Sequence, residues 1–165
     1  MPAPIDPSTL SCVVLTNAAA DMEQVLAAAP LLGGSGFEPP NDLARNREEI
    51  RSQHSLAAFF ATRIWLNQFR KFKTFNRIGT SYALKHVAEC DVGYITNGVF
   101  IAAALAEGFR VSQVGFTRNA YLNISRAAWG RGWRCGDQES FFDKSYAQRL
   151  ADSRTNPYPT QHKVE

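Results

Sequence analysis

Between Thr96 and Phe109 the chain reads TNGVFIAAALAEGF, with no polar side chain from Gly98 to Ala106. Thr96 supplies a helix N-cap, and Gly108-Phe109 reads as a C-terminal glycine followed by an apolar lock. A helix apolar nearly all round has no face to give to water, so it must be buried. The apolar run is also far shorter than the ~20 residues that a membrane-spanning helix needs. The rest of the chain, or a second copy of it, must therefore cover this segment.

The remaining punctuation suits one domain of 165 residues, 45% hydrophobic and 20% charged. That balance excludes disorder as the dominant state. Cys12 to Thr16 (CVVLT) is a β-branched run that predicts a short strand, and Asn17 then caps a helix ended by Pro30. Leu31 to Asn41 (LLGGSGFEPPN) reads as a turn or linker. From Asn41 or Ser55 helical sequence is expected to about Phe72, with Phe69 and Phe72 on the core face. Lys73 to Thr80 breaks that pattern, and Tyr82 to Glu89 is the next helix. Arg110 to Phe116 and Ala120 to Ile124 alternate as two strands joined at Thr117-Arg118-Asn119. Trp129 to Gly136 is loop-like, and Asp137 caps a last helix. The expected organisation is a single domain: an acidic strand and helix lobe with its linker (1–40), a basic helical core with a hairpin (41–125), a loop and helix (126–152), and a tail (153–165). The expected fold class is mostly α (α+β), a helical bundle with one small β-hairpin. The order helix, tight turn, helix, hairpin also allows a winged helix-turn-helix.

The net charge of +3 conceals a strong partition. Residues 1–55 hold three basic and seven acidic side chains, residues 56–134 eleven and three, and residues 135–165 four and five. A local field of this kind attracts a polyanion. The stretch Arg63 to Arg77 holds Arg63, Arg70, Lys71, Lys73 and Arg77 without an acid, interleaved with Trp65, Phe69, Phe72 and Phe75. Cations neutralise phosphates and exposed aromatics stack on bases, which is the mixture a nucleic-acid surface needs. The bland alternative is an amphipathic helix whose basic side only faces water. Arg110, Arg118 and Arg126 lie on and beside the hairpin. A major-groove recognition helix must offer polar side chains to base edges, whereas the helix after Thr96 offers only Thr96 and Asn97.

Tyr82, Lys85, His86 and Glu89 share one helical face, either as an acid/base cluster or as an extension of the basic patch by Lys85 and His86. His86 and Cys90 have the spacing of half a zinc site, but no further ligands follow at a recognisable spacing. Trp129 to Arg134 alternates tryptophan and arginine, either as a recognition surface or as core plugs. No G-x-S-x-G, H-E-x-x-H, P-loop or Rossmann fingerprint occurs. A binding protein without cofactor, metal or catalytic residues is therefore expected in preference to an enzyme. Cys12, Cys90 and Cys135 are odd in number and widely spaced, which predicts free thiols in a reducing compartment. MPAPIDPSTL lacks a basic segment ahead of an apolar one, so no secretory leader is expected. A cytoplasmic protein follows, in which Asn123-Ile124-Ser125 is a chance glycosylation pattern.

The block SYALKHVAE, GYITNGVFIAAALAEGF and NAYLNIS, from Ser81 to Ser125, resembles a block in small uncharacterised proteins of bacterial plasmids, integrated elements and phages. The resemblance covers about a quarter of the chain and implies a mobile-element setting, with no site residues. Together these readings predict an accessory or regulatory protein that binds nucleic acid, DNA more than RNA, through Arg63, Arg70, Lys71, Lys73, Arg77, Lys85 and Arg118. The other expectation is a non-enzymatic modulator or inhibitor that binds a host defence or replication complex. Neither involves a membrane.

Overall fold

In the computed structural model, which describes residues 10–134 and the side chains of 10–130, the chain starts with a long helix, α1 (Cys12–Ala28). Ser11 caps it, its hydroxyl accepting from the Val14 amide at 3.3 Å. The strand expected at Cys12 to Thr16 is thus the first turn of a helix. A lone β run has no neighbour to pair its backbone, whereas a helix satisfies those groups locally. Ala18, Met22, Val25 and Leu26 form the buried stripe of α1. No glycine ends the helix; instead Arg47 donates to the carbonyls of Leu26, Ala29, Pro30 and Leu32.

A two-stranded ribbon, β1 (Leu32–Gly33) and β2 (Gly36–Phe37), follows where the linker was expected. Pro40 opens α2 (Pro40–Ile50), and Ser52 caps α3 (Gln53–Leu66). α3 stops six residues short of Phe72. Asn67 and Gln68 turn the chain, and Phe69 folds back so that its ring centroid lies 4.6 Å from that of Trp65.

The chain then runs into β3 (Lys71–Asn76), a strand where helix and loop were expected. Next come α4 (Ser81–Val92), α5 (Asn97–Ala106), β4 (Val111–Gln113), β5 (Ala120–Ile124) and a 3₁₀ helix over Arg126–Arg134. The expected final helix and both tails lie outside the described residues. β3, β5 and β4 form an antiparallel sheet in that order, with β5 central. The fold is mostly helical α+β, as expected, with a sheet of three strands instead of a lone hairpin.

The core sits around α5, which packs against α1, α3 and α4. Val99 to Ala104 are fully buried within this one chain, as an all-apolar helix requires. Ala120, Leu122 and Ile124 turn the inner face of β5 onto the helices, and Trp129 fills the space beside Gly79. Among the described residues no helix is long and apolar enough to cross a membrane. Cys12 is a free thiol but Cys90 is disulfide-bonded, so the expectation of free cysteines fails at Cys90. Wide spacing in sequence says nothing about distance after folding. A sulfur committed in this way is not the zinc ligand that the His86–Cys90 spacing allowed.

Candidate nucleic-acid interface

β3 owes its character to an irregular register. Lys71 pairs with Ile124 and Asn76 with Leu122, so Phe72 to Phe75 lie opposite the single residue Asn123. A strand bulged in this way bends outward and leaves residues unpaired. Lys71, Phe72, Lys73 and Thr74 are all exposed, with Phe72 at 52%. This corrects the expectation that Phe72 lies in the core. The bulge is held at its base: the Asn123 side-chain amide donates to the Phe72 carbonyl at 2.7 Å, and the Asn123 side-chain carbonyl accepts from the Arg110 amide at 2.7 Å. Asn76 closes the other end, donating to the Ile124 carbonyl and accepting from the Ile78 amide. Asn123 is only 4% exposed and its amide nitrogen is engaged, which closes the glycosylation pattern in the folded protein.

All three strands come from two stretches without a carboxylate, residues 50–88 and 108–136. Three of the cations on or beside these strands lie over rings. Arg110 lies 5.0 Å from the Phe75 centroid, Arg77 lies 5.8 Å from that of Tyr121, and Lys71 lies 5.2 Å from that of Phe109. Arg70 and Lys73 are exposed beside them. None of these five has an ion-pair partner among the described residues. A guanidinium stacked on a ring still has its in-plane N–H groups available, whereas a carboxylate would consume them.

Three of the residues expected at the site are placed differently. Arg63 pairs with Asp21 of α1 and with Glu107 after α5, and lies over the Phe59 ring. Lys85 is 5% exposed and bonds Glu89 at 2.7 Å. Arg118 reaches Glu38 at 3.4 Å and Asp42 at 3.7 Å. The acidic N-terminal region therefore pairs with two of them and α4 with the third, although Arg118 itself remains exposed. Of the residues expected at the site, Lys71 and Lys73 lie on β3 and Arg70 and Arg77 flank it, with Arg110 beside β4; Lys71, in register with Ile124, stands on the helix side of the sheet. Sequence reasoning placed Arg110 beside the hairpin but not at the site. The signal that finds it is the second carboxylate-free run.

The face of α4 with Tyr82, Lys85, His86 and Glu89 is an internal cluster. Glu89 accepts from Lys85, from the Ile95 amide at 3.1 Å and from His86 Nδ1 at 2.6 Å. The Lys85 ammonium lies 5.4 and 5.5 Å from the Tyr82 and Tyr94 rings. Burial first, and the Lys85 charge second, push the His86 pKa below its usual 6.5, against the pull of Glu89. The cluster ties α4 to the turn before α5. A cavity of about 360 Å³ lies elsewhere, lined by Asp21, Val25, Arg63 and Leu105 among others, and it includes none of the sheet cations. Among the described residues no group of three His, Cys, Asp or Glu side chains is placed to hold a metal ion. Compared with known proteins, the chain matches no family model, no curated protein and no solved structure.

Proposed function

We propose that this chain is a nucleic-acid-binding protein that takes up phosphates along β3 and across the sheet face carrying Tyr121. One observation carries the reading: Arg70, Lys71, Lys73, Arg77 and Arg110 lie on or next to the strands of a small sheet and have no carboxylate partner among the described residues, while Arg51, Arg63 and Arg118 are each paired to acids. Electrostatic binding to phosphate needs this kind of uncompensated local charge.

The succession α4, short turn, α5 and hairpin is the order of a winged helix-turn-helix, whose second helix normally enters the major groove. Here that helix is closed off. Val99 to Ala104 are buried, and the N-terminus of α5 lies under the β1–β2 ribbon, with Gly98 donating to the Gly34 carbonyl at 2.9 Å. Contact through the sheet and hairpin fits this burial. The mobile-element resemblance from Ser81 to Ser125 covers α4, α5 and the hairpin, and suits an accessory protein of such an element.

The test is a salt titration of binding to a labelled oligonucleotide. With all five cations on phosphates, log K should fall against log salt with a slope of about −4.5 on duplex or about −3.5 on a single strand. Arg77→Ala with Arg110→Ala should make the slope shallower by about 1.4 to 1.8. A flat salt response, or a nuclease-resistant protein partner and no oligonucleotide binding, overturns the reading.

A further inference from the structure

We infer that the strand bound on this surface is single-stranded, its bases stacking on Phe72 and Phe116 and its phosphates lying on the cations between them. The inference rests on the nucleic-acid reading above and adds the class of substrate.

Phe116 is the most exposed large apolar side chain described, at 108%, and it does not sit on a slack loop. The hairpin tip is closed by the Val114 amide on the Asn119 carbonyl at 2.9 Å, the Thr117 amide and hydroxyl on the Val114 carbonyl, and the Gln113 side chain on the Thr117 carbonyl. Gly115, at φ +53°, supplies the left-handed residue that the tip needs. An aromatic held in water by an ordered turn gives up the burial that a Phe gains in a core. Phe72 is presented likewise, on a bulge whose carbonyl is fixed by Asn123.

These two rings stand towards opposite ends of the sheet, Phe72 beside the Asn123–Ile124 end of β5 and Phe116 beyond its Ala120 end. Between them lie the Arg110–Phe75 and Arg77–Tyr121 stacks. In the register of the sheet the order is therefore Phe72, the Arg110–Phe75 stack, the Arg77–Tyr121 stack and Phe116. A flexible strand matches this, since each base has a free face and each sugar carries a phosphate on to the next cation. In a duplex the base faces are already stacked on one another, and the helix that would read its groove is α5, which is buried.

The probes are a labelled single strand of twelve thymidines, its ribouridine counterpart, and a twelve-base-pair duplex at one salt concentration. The single strands should bind at least tenfold tighter than the duplex. Phe72→Ala and Phe116→Ala should each weaken single-strand binding about tenfold and leave duplex binding unchanged. Both side chains are exposed, so circular dichroism melts of the variants should match the parent. Duplex bound as tightly as single strand, or both variants silent on the single strand, overturns the inference and leaves the nucleic-acid reading standing. No binding to any of the three probes overturns both.

Discussion

Asn123 bonds both neighbours of its strand through one side chain: its amide donates to the Phe72 carbonyl of β3, and its carbonyl accepts from the Arg110 amide beside β4. A single buried residue thus sets the spacing between the cations of the two edge strands. Asn123→Ala leaves the Arg110 amide and the Phe72 carbonyl without that partner, and it should cost about 1–3 kcal/mol in urea unfolding. Oligonucleotide affinity should fall as well, because the bulge no longer has a fixed position. Unchanged stability would mean that water replaces both bonds.

Gly98 tests how α5 is sealed. A Cβ built there would stand 1.7 Å from the Gly33 carbonyl oxygen and 2.6 Å from that of Gly34, inside any real contact distance. Backbone faces backbone, so no flexible side chain can give way. Gly98→Ala should destabilise by about 1–3 kcal/mol or more, as overpacking does, even though alanine is the better helix former. Differential scanning calorimetry reads the loss; an unchanged or raised Tm would show that the ribbon can lift away freely.

α5 was legible from sequence because its signal is self-contained: an N-cap, an apolar circumference and a closing glycine. The structure shows the Thr96 hydroxyl accepting from the Val99 amide and Gly108 at φ +74°. β4 and β5 were legible from alternation, although their connection is longer than Thr117 to Asn119. β3 was not, because its bulge destroys the period-two pattern and places two exposed lysines around an exposed Phe72. Charge partners were equally hidden. Arg63 meets Asp21 and Glu107 from 42 and 44 residues away, and no local pattern announces such pairs. The cations that remain on the surface were found in part because the carboxylate-free run containing them is a property of sequence alone.

Arg63 and Arg77 separate stability from binding. Arg63 is partly buried and bonded to two carboxylates, one of which, Glu107, is only 12% exposed at its side chain. Arg63→Ala should cost about 1–2 kcal/mol of stability, between an exposed and a buried pair, and leave oligonucleotide affinity unchanged below the unfolding transition. Arg77→Ala should do the reverse, lowering affinity and its salt slope with little change in Tm. Paired titrations and melts of the two variants give the comparison, and a loss of affinity in Arg63→Ala would return that residue to the binding surface.

His86 gives the fold an acid-side weakness above the carboxylate range. Its pKa is depressed in the folded protein by burial and by the neighbouring Lys85 charge, so the fold favours the neutral imidazole. The unfolded chain, with a value near 6.5, takes up the proton first as pH falls. Stability is therefore fully present above about pH 6.5 and declines as pH drops from there towards the lower folded value, because the unfolded state then binds more protons. Urea midpoints measured at pH 7.5, 6.5 and 5.5 should fall in that order. His86→Gln keeps a side chain able to donate to Glu89 and cannot take up a proton in this range, so its midpoints should vary less across the same interval. A variant whose decline matches that of the parent would place the titrating group elsewhere.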